Sequence, residues 1–90
     1  MENVTSKFPF VATRTNKLAD WLKSQNYKMP NLKIEVLEED ENSYIILLNG
    51  EVFASGIYDE EVESLVTDAL EYVETYSKAV NNCDDFNIYK

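Results

Sequence analysis

The chain has 90 residues, 44% hydrophobic and 12% aromatic, with one cysteine, no histidine and a net charge of −9. That is about one domain's worth of chain, too apolar for disorder, with no apolar run near the roughly 20 residues of a membrane span and no second thiol for an internal disulfide. Without histidine the commonest general base and transition-metal ligand are both missing, and the two glycines, Gly50 and Gly56, build no phosphate-cradling loop, so a non-catalytic protein without metal or cofactor is expected.

Residues 1–12 contain Phe8, Pro9, Phe10 and Val11, which read as an N-terminal arm packed on the core. The same segment lacks the charged start and apolar stretch of a secretory signal, so a cytoplasmic location is expected. From Thr13 or Thr15 as N-cap, the spacing of Leu18, Trp21 and Leu22 predicts a short amphipathic helix ending near Asn26, with Pro30 preventing its continuation. Leu32, Ile34 and Val36 then alternate with Lys33 and Glu35, the period of a half-buried strand. Glu39, Asp40, Glu41 and Asn42 come next as a charged turn, with Glu38 directly before it. They lack the spaced oxygen donors of a calcium loop, which makes a solvated turn the expectation.

Asn49-Gly50 supplies the positive φ angles of a type I′ turn, predicting a hairpin that pairs Leu47 with Val52, Ile46 with Phe53 and Ile45 with Ala54. Gly56 marks a bulge or a close backbone approach. Tyr44 to Leu48 is apolar on both faces, so this strand is placed centrally in the sheet. The face away from the helices then shows either Ile46 with Phe53 or Leu47 with Val52, covered by Phe8 and Phe10 of the arm or by another molecule. Ile46 and Phe53 are the candidate apolar interface of a homodimer or a protein-interaction module.

Residues 59–82 form the longest predicted helix, with Val62, Leu65, Val66, Ala69, Leu70, Val73, Tyr76 and Val80 on one face and Glu60, Glu63, Glu71 and Glu74 on the other. Asp59 is the expected N-cap, and the helix dipole accounts for Glu60 and Glu61 in the first turn. Glu71 and Glu74 lie beyond its reach. Asn81 and Asn82 suit the helix end, and residues 83–90 form a tail in which Phe86, Ile88 and Tyr89 can dock and Cys83 is an inert thiol. The expected organisation is a single α+β domain: arm 1–12, a core 13–82 of order α-β-β-β-α with a three-stranded antiparallel sheet and both helices on one face, and tail 83–90.

The charge is unevenly spread. Residues 1–33 carry six cations against Glu2 and Asp20, or +4, and residues 34–90 carry fifteen carboxylates against Lys78 and Lys90, or −13. Such a block opposes direct nucleic-acid or anionic-membrane binding and favours a basic protein surface, with association that weakens as salt rises. The candidate contact residues are Glu60, Glu63, Asp68, Glu71 and Glu74, joined by Glu38, Glu39, Asp40 and Glu41 if the fold brings them near. The competing readings are acidity that serves solubility alone, and head-to-tail self-assembly of the basic third against the stripe of another copy.

The element order over 13–82 looks like that of the double-stranded-RNA-binding domain. Where that family opens its second helix with a phosphate-gripping basic run, this chain has Asp59, Glu60, Glu61, Val62 and Glu63, so the charge is inverted and RNA binding by that route is contradicted. In size, acidity and element order the chain also resembles small acidic phage-encoded inhibitors, anti-CRISPR proteins in particular. That resemblance implies a DNA mimic: a non-catalytic inhibitor in the host cytoplasm that presents carboxylates to a nucleic-acid-processing enzyme or CRISPR effector.

Overall fold

The computed structural model describes residues 2–27 and 32–81. The expectations for Pro30, Asn82 and the tail 83–90 lie outside them. The described residues form six regular elements, in order β1 (Glu2–Asn3), α1 (Pro9–Ser24), β2 (Ile34–Asp40), β3 (Ser43–Leu48), β4 (Glu51–Ile57) and α2 (Val62–Asn81), with single 3₁₀ turns at Thr5–Lys7 and Asp59–Glu61. The protein is α+β, and its antiparallel sheet has four strands in the order β1-β2-β3-β4 rather than three.

The added strand is two polar residues long and carries no alternating signal. Val4 and Thr5, directly after it, hold it in place. Val4 donates its N–H to the Val36 carbonyl at 2.8 Å, and the Thr5 hydroxyl accepts the Val36 N–H at 2.9 Å while donating to Asn3 Oδ1 at 2.6 Å. These bonds satisfy part of the β2 edge that would otherwise be open.

The expected arm is the start of α1. Pro9 occupies the first helical turn, where a missing N–H has no intrahelical role and a fixed φ suits the helix, so the helix opens four residues or more before the expected start. Phe8 is the N-cap, ahead of the expected Thr13 or Thr15. Phe8 and Phe10 consequently pack in the core beneath the helices, Phe8 meeting Tyr44 edge-on at 5.7 Å, and do not cover the other face of the sheet. The helix ends as expected. Asn26 takes φ +58°, its N–H reaches the Lys23 carbonyl at 3.0 Å, and the Tyr27 N–H reaches the Leu22 carbonyl at 3.1 Å, the paired bonds of a left-handed C-terminal cap.

Val11, Thr15, Leu18 and Leu22 form the buried face of α1. The Thr15 hydroxyl is enclosed there without a hydrogen-bond partner among the described residues. Thr15→Val keeps the shape and removes the orphaned hydroxyl, so it should stabilise the fold by about 1 kcal/mol, a rise in melting temperature of roughly 4–8 °C for a domain of this size. An unchanged or lowered melting temperature would show that the hydroxyl is satisfied.

The hairpin turn forms as predicted, with Asn49 at φ +54° and Gly50 at +86°. Asn49 also fastens the turn to β2: its N–H donates to the Lys33 carbonyl at 2.8 Å and its Oδ1 accepts the Lys33 N–H at 2.9 Å. Leu47 pairs with Val52 as expected, but Ile46 pairs with Ala54, not Phe53, and Tyr44 pairs with Ile57. Phe53 is therefore an inserted residue, and both Phe53 and Ala54 pack against the core. The second register slip coincides with Gly56 at φ +64°.

Face assignment depends on this register. Ile34, Val36 and Ile46 point at the helices and meet Val11, Val62, Val66 and Ala69, with Ile46 wholly inaccessible. Ile46 and Phe53 are thus core residues, which corrects their expected place on an exposed interface. The opposite face carries Leu37, Ile45, Leu47 and Val52, of which Val52 is 63% exposed.

In α2 the inward line is Val62, Val66, Ala69, Val73 and Ser77. Tyr76 and Val80, expected in that line, are about half exposed. Val73 belongs to a second cluster with Leu18 and Leu22 that joins α2 to α1. Tyr58, one residue before Asp59, caps the 3₁₀ turn that leads into α2: its N–H donates to Glu61 Oε1 at 3.0 Å, and the Glu61 N–H donates to the Tyr58 carbonyl at 2.8 Å. Glu61 is therefore a capping residue.

Candidate acidic interface

The carboxylates expected to form a stripe on α2 lie beside cations of α1 and of α2 itself. Glu63 accepts from Arg14 Nη2 at 2.9 Å, and Arg14 also donates to the Thr67 hydroxyl at 2.9 Å and sits 5.2 Å from the centre of the Phe10 ring. Glu74 pairs with Lys78 at 3.0 Å, and Lys78 lies 5.3 Å from the centre of the Trp21 ring. Glu71 and Glu74 line the groove between the helices together with Arg14, Lys17 and Lys78. Glu60, Glu63 and Asp68 surround Arg14 in a neighbouring depression. The flank of α2 is thus a mixed-charge seam with α1. The Arg14–Glu63 pair is exposed, and a double-mutant cycle through Arg14→Gln and Glu63→Gln should return a coupling of about 0.2–1 kcal/mol that shrinks in salt. A coupling of several kcal/mol would mark a pair that the fold depends on.

The concentration of unpaired acid lies elsewhere. Along the ladder Glu2 pairs with Glu38, Glu38 with Tyr44, and Tyr44 with Ile57. The turn after β2 and the exit from β4 therefore share one end of the sheet. A shallow depression there is lined by Asn42, Tyr44, Tyr58, Asp59 and Glu60. Around this end stand Glu2, Glu38, Glu39, Asp40, Glu41, Asp59, Glu60 and Glu61. Among the described residues none of the eight is in an ion pair, in contrast to Glu63 and Glu74. Like charges gathered at one end repel, and of the eight only Glu60 shares a depression with a described cation, Arg14.

Strand pairing puts Glu38, Glu39, Asp40 and Glu41 at the same end of the sheet as Glu60, and Glu71 and Glu74 lie on the seam. Asp59 was expected only as a cap and Glu61 only as a first-turn charge. The signal that places them was present in the sequence: in a meander of antiparallel strands, the first turn and the end of the last strand fall at the same end, so residues 39–42 and 58–61 must be neighbours.

Among the described residues no three His, Cys, Asp or Glu side chains converge as metal donors, and no helix is long and apolar enough to cross a membrane. No protein-family model, curated protein or solved structure matches the chain.

Proposed function

We propose that the protein is a non-catalytic inhibitor whose acidic end occupies a basic, nucleic-acid-binding surface of another protein inside the cell, such as a nucleic-acid-processing enzyme or a CRISPR effector. The observation that carries this reading is the gathering of eight carboxylates at one end of the sheet with no ion pair among the described residues. Duplex DNA presents one charge per roughly 1.7 Å of axis, and a surface lined by Arg and Lys for that polymer is complementary to such an end. Glu60 belongs to both the acidic end and the margin of the helical seam; Glu63, Asp68, Glu71 and Glu74 are secondary contacts in this reading.

Immobilised protein incubated with extract of the native host should retain a nucleic-acid-binding protein at about 0.05 M salt, release it at about 0.5 M, and release it to added duplex DNA. Retention of a partner that neither salt nor DNA displaces would refute the proposal. A second reading, an interaction module or homodimer built on the outer sheet face, is favoured by the exposure of Val52 beside half-buried Leu37 and Leu47. It predicts association insensitive to salt and lost in Val52→Asp, with sedimentation as the readout.

A further inference from the structure

We infer that the depression at the acidic end is a socket for an arginine side chain of the bound protein, an inference that rests on the proposed function and specifies its recognition chemistry. The depression, about 400 Å³, is lined by Asn42, Tyr44, Tyr58, Asp59 and Glu60. Tyr58 is an aromatic ring left 58% exposed, an unusual placement for a side chain whose backbone only has to cap a helix. Its face is available to a flat cation, and carboxylates are next to it in sequence.

A second feature points the same way independently of the acidity. Tyr44 forms the inner wall of the depression and is more than nine-tenths buried, with its ring held edge-on by Phe8 at 5.7 Å. No hydrogen bond to its hydroxyl is present among the described residues. The hydroxyl is not one of the fully enclosed atoms without a partner, so it keeps surface where Tyr44 lines the depression, and an entering donor can bond it there.

The donor these groups select is a guanidinium. It is planar and stacks on an aromatic face, it carries five N–H groups for two carboxylates and a phenolic oxygen, and it is weakly hydrated enough to enter a half-enclosed site. A lysine ammonium offers a point charge that neither stacks flat nor spans Asp59 and Glu60. The helix start nearby opposes a cation by about half a charge, which the two full carboxylate charges exceed. Glu61 contributes less because its carboxylate is engaged with the Tyr58 N–H.

The test compares capped hexa-arginine and hexa-lysine peptides by titration calorimetry at about 0.05 M salt, with amide shifts mapped by NMR. Hexa-arginine should bind more tightly than hexa-lysine by about threefold or more, with shifts centred on Asn42, Tyr44, Tyr58, Asp59 and Glu60. Tyr58→Leu and Tyr44→Phe should each weaken the arginine peptide about threefold and erase its advantage over lysine, while Glu51→Gln, at the far end of β4, leaves that advantage unchanged. Both tyrosine substitutions retain apolar bulk, and a thermal melt checks the fold. Equal affinity for the two peptides, or an undiminished arginine preference in Tyr58→Leu, overturns the socket and leaves the acidic-end reading standing. Failure of both peptides to bind overturns the two together.

Discussion

Ile46→Asp should abolish the cooperatively folded state, whereas Val52→Asp should leave it intact. Ile46 has no accessible surface, pairs across the sheet with Val36 and Ala54, and packs against the α2 line of Val62, Val66 and Ala69. A carboxylate there has no cation to meet, and its effective burial penalty of several kcal/mol adds to the lost apolar contact. Stabilities of natural domains are about 5–15 kcal/mol, with one of this size at the low end, so the sum is sufficient to unfold the chain. Val52 lies on the opposite face and is 63% exposed, so its replacement changes stability by about 1 kcal/mol or less, most of it strand preference. Circular-dichroism melts of the two variants check the contrast. A folded Ile46→Asp protein would mean that β3 is turned the other way.

That contrast also shows why the sequence left β3 undecided. Tyr44 to Leu48 is apolar at every position, so the strand itself has no preferred face. The deciding information is in β2, where Ile34 and Val36 alternate with Lys33 and Glu35 and fix the inner face. Carrying it across to β3 requires the register through a charged turn that itself contains a slip between Glu38 and Asp40. The hairpin was legible at Asn49-Gly50 because turn chemistry specifies it locally. The inserted Phe53 was not legible, since nothing in Val52-Phe53-Ala54 distinguishes a bulge from a regular ladder. Pro9 and the two-residue β1 were obscured for opposite reasons: a proline that opens a helix resembles one that prevents it, and a strand of two polar residues has no pattern at all. The long helix was legible, apart from its last turns, where Ser77 and not Tyr76 faces inward.

The acidic surface was legible in amount but not in place. Counting charges along α2 selected Glu63, Glu71 and Glu74, because the helix period is visible in the sequence while the proximity of Arg14 to Glu63 depends on how α1 and α2 pack; the Glu74–Lys78 pair, four residues apart on α2, was itself legible. Carboxylates without an ion pair among the described residues are brought by topology to one end of the sheet from two distant segments, 38–41 and 59–61.

The second large effect arises from this difference in place. Removing four charges from the acidic end, by Glu39→Gln, Glu41→Gln, Asp59→Asn and Glu60→Gln, should weaken the complex with the captured basic partner about a hundredfold, since several close cross-interface charge pairs are lost together. The same variant should melt close to the temperature of the unmodified protein, because relieved repulsion offsets the loss of two carboxylates from the helix start and the Glu61 cap stays in place. Loss of binding with stability retained separates a recognition role from a structural one.

The most direct measurement pairs that variant with a second of equal net charge, carrying Glu63→Gln, Asp68→Asn, Glu71→Gln and Glu74→Gln on the helical seam. Both go from −9 to −5, so bulk electrostatics are matched and only the location of the lost charge differs. Affinity for the captured partner should fall about a hundredfold in the first variant and less than about tenfold in the second. Equal losses, or the greater loss in the seam variant, would contradict the assignment of recognition to the acidic end of the sheet.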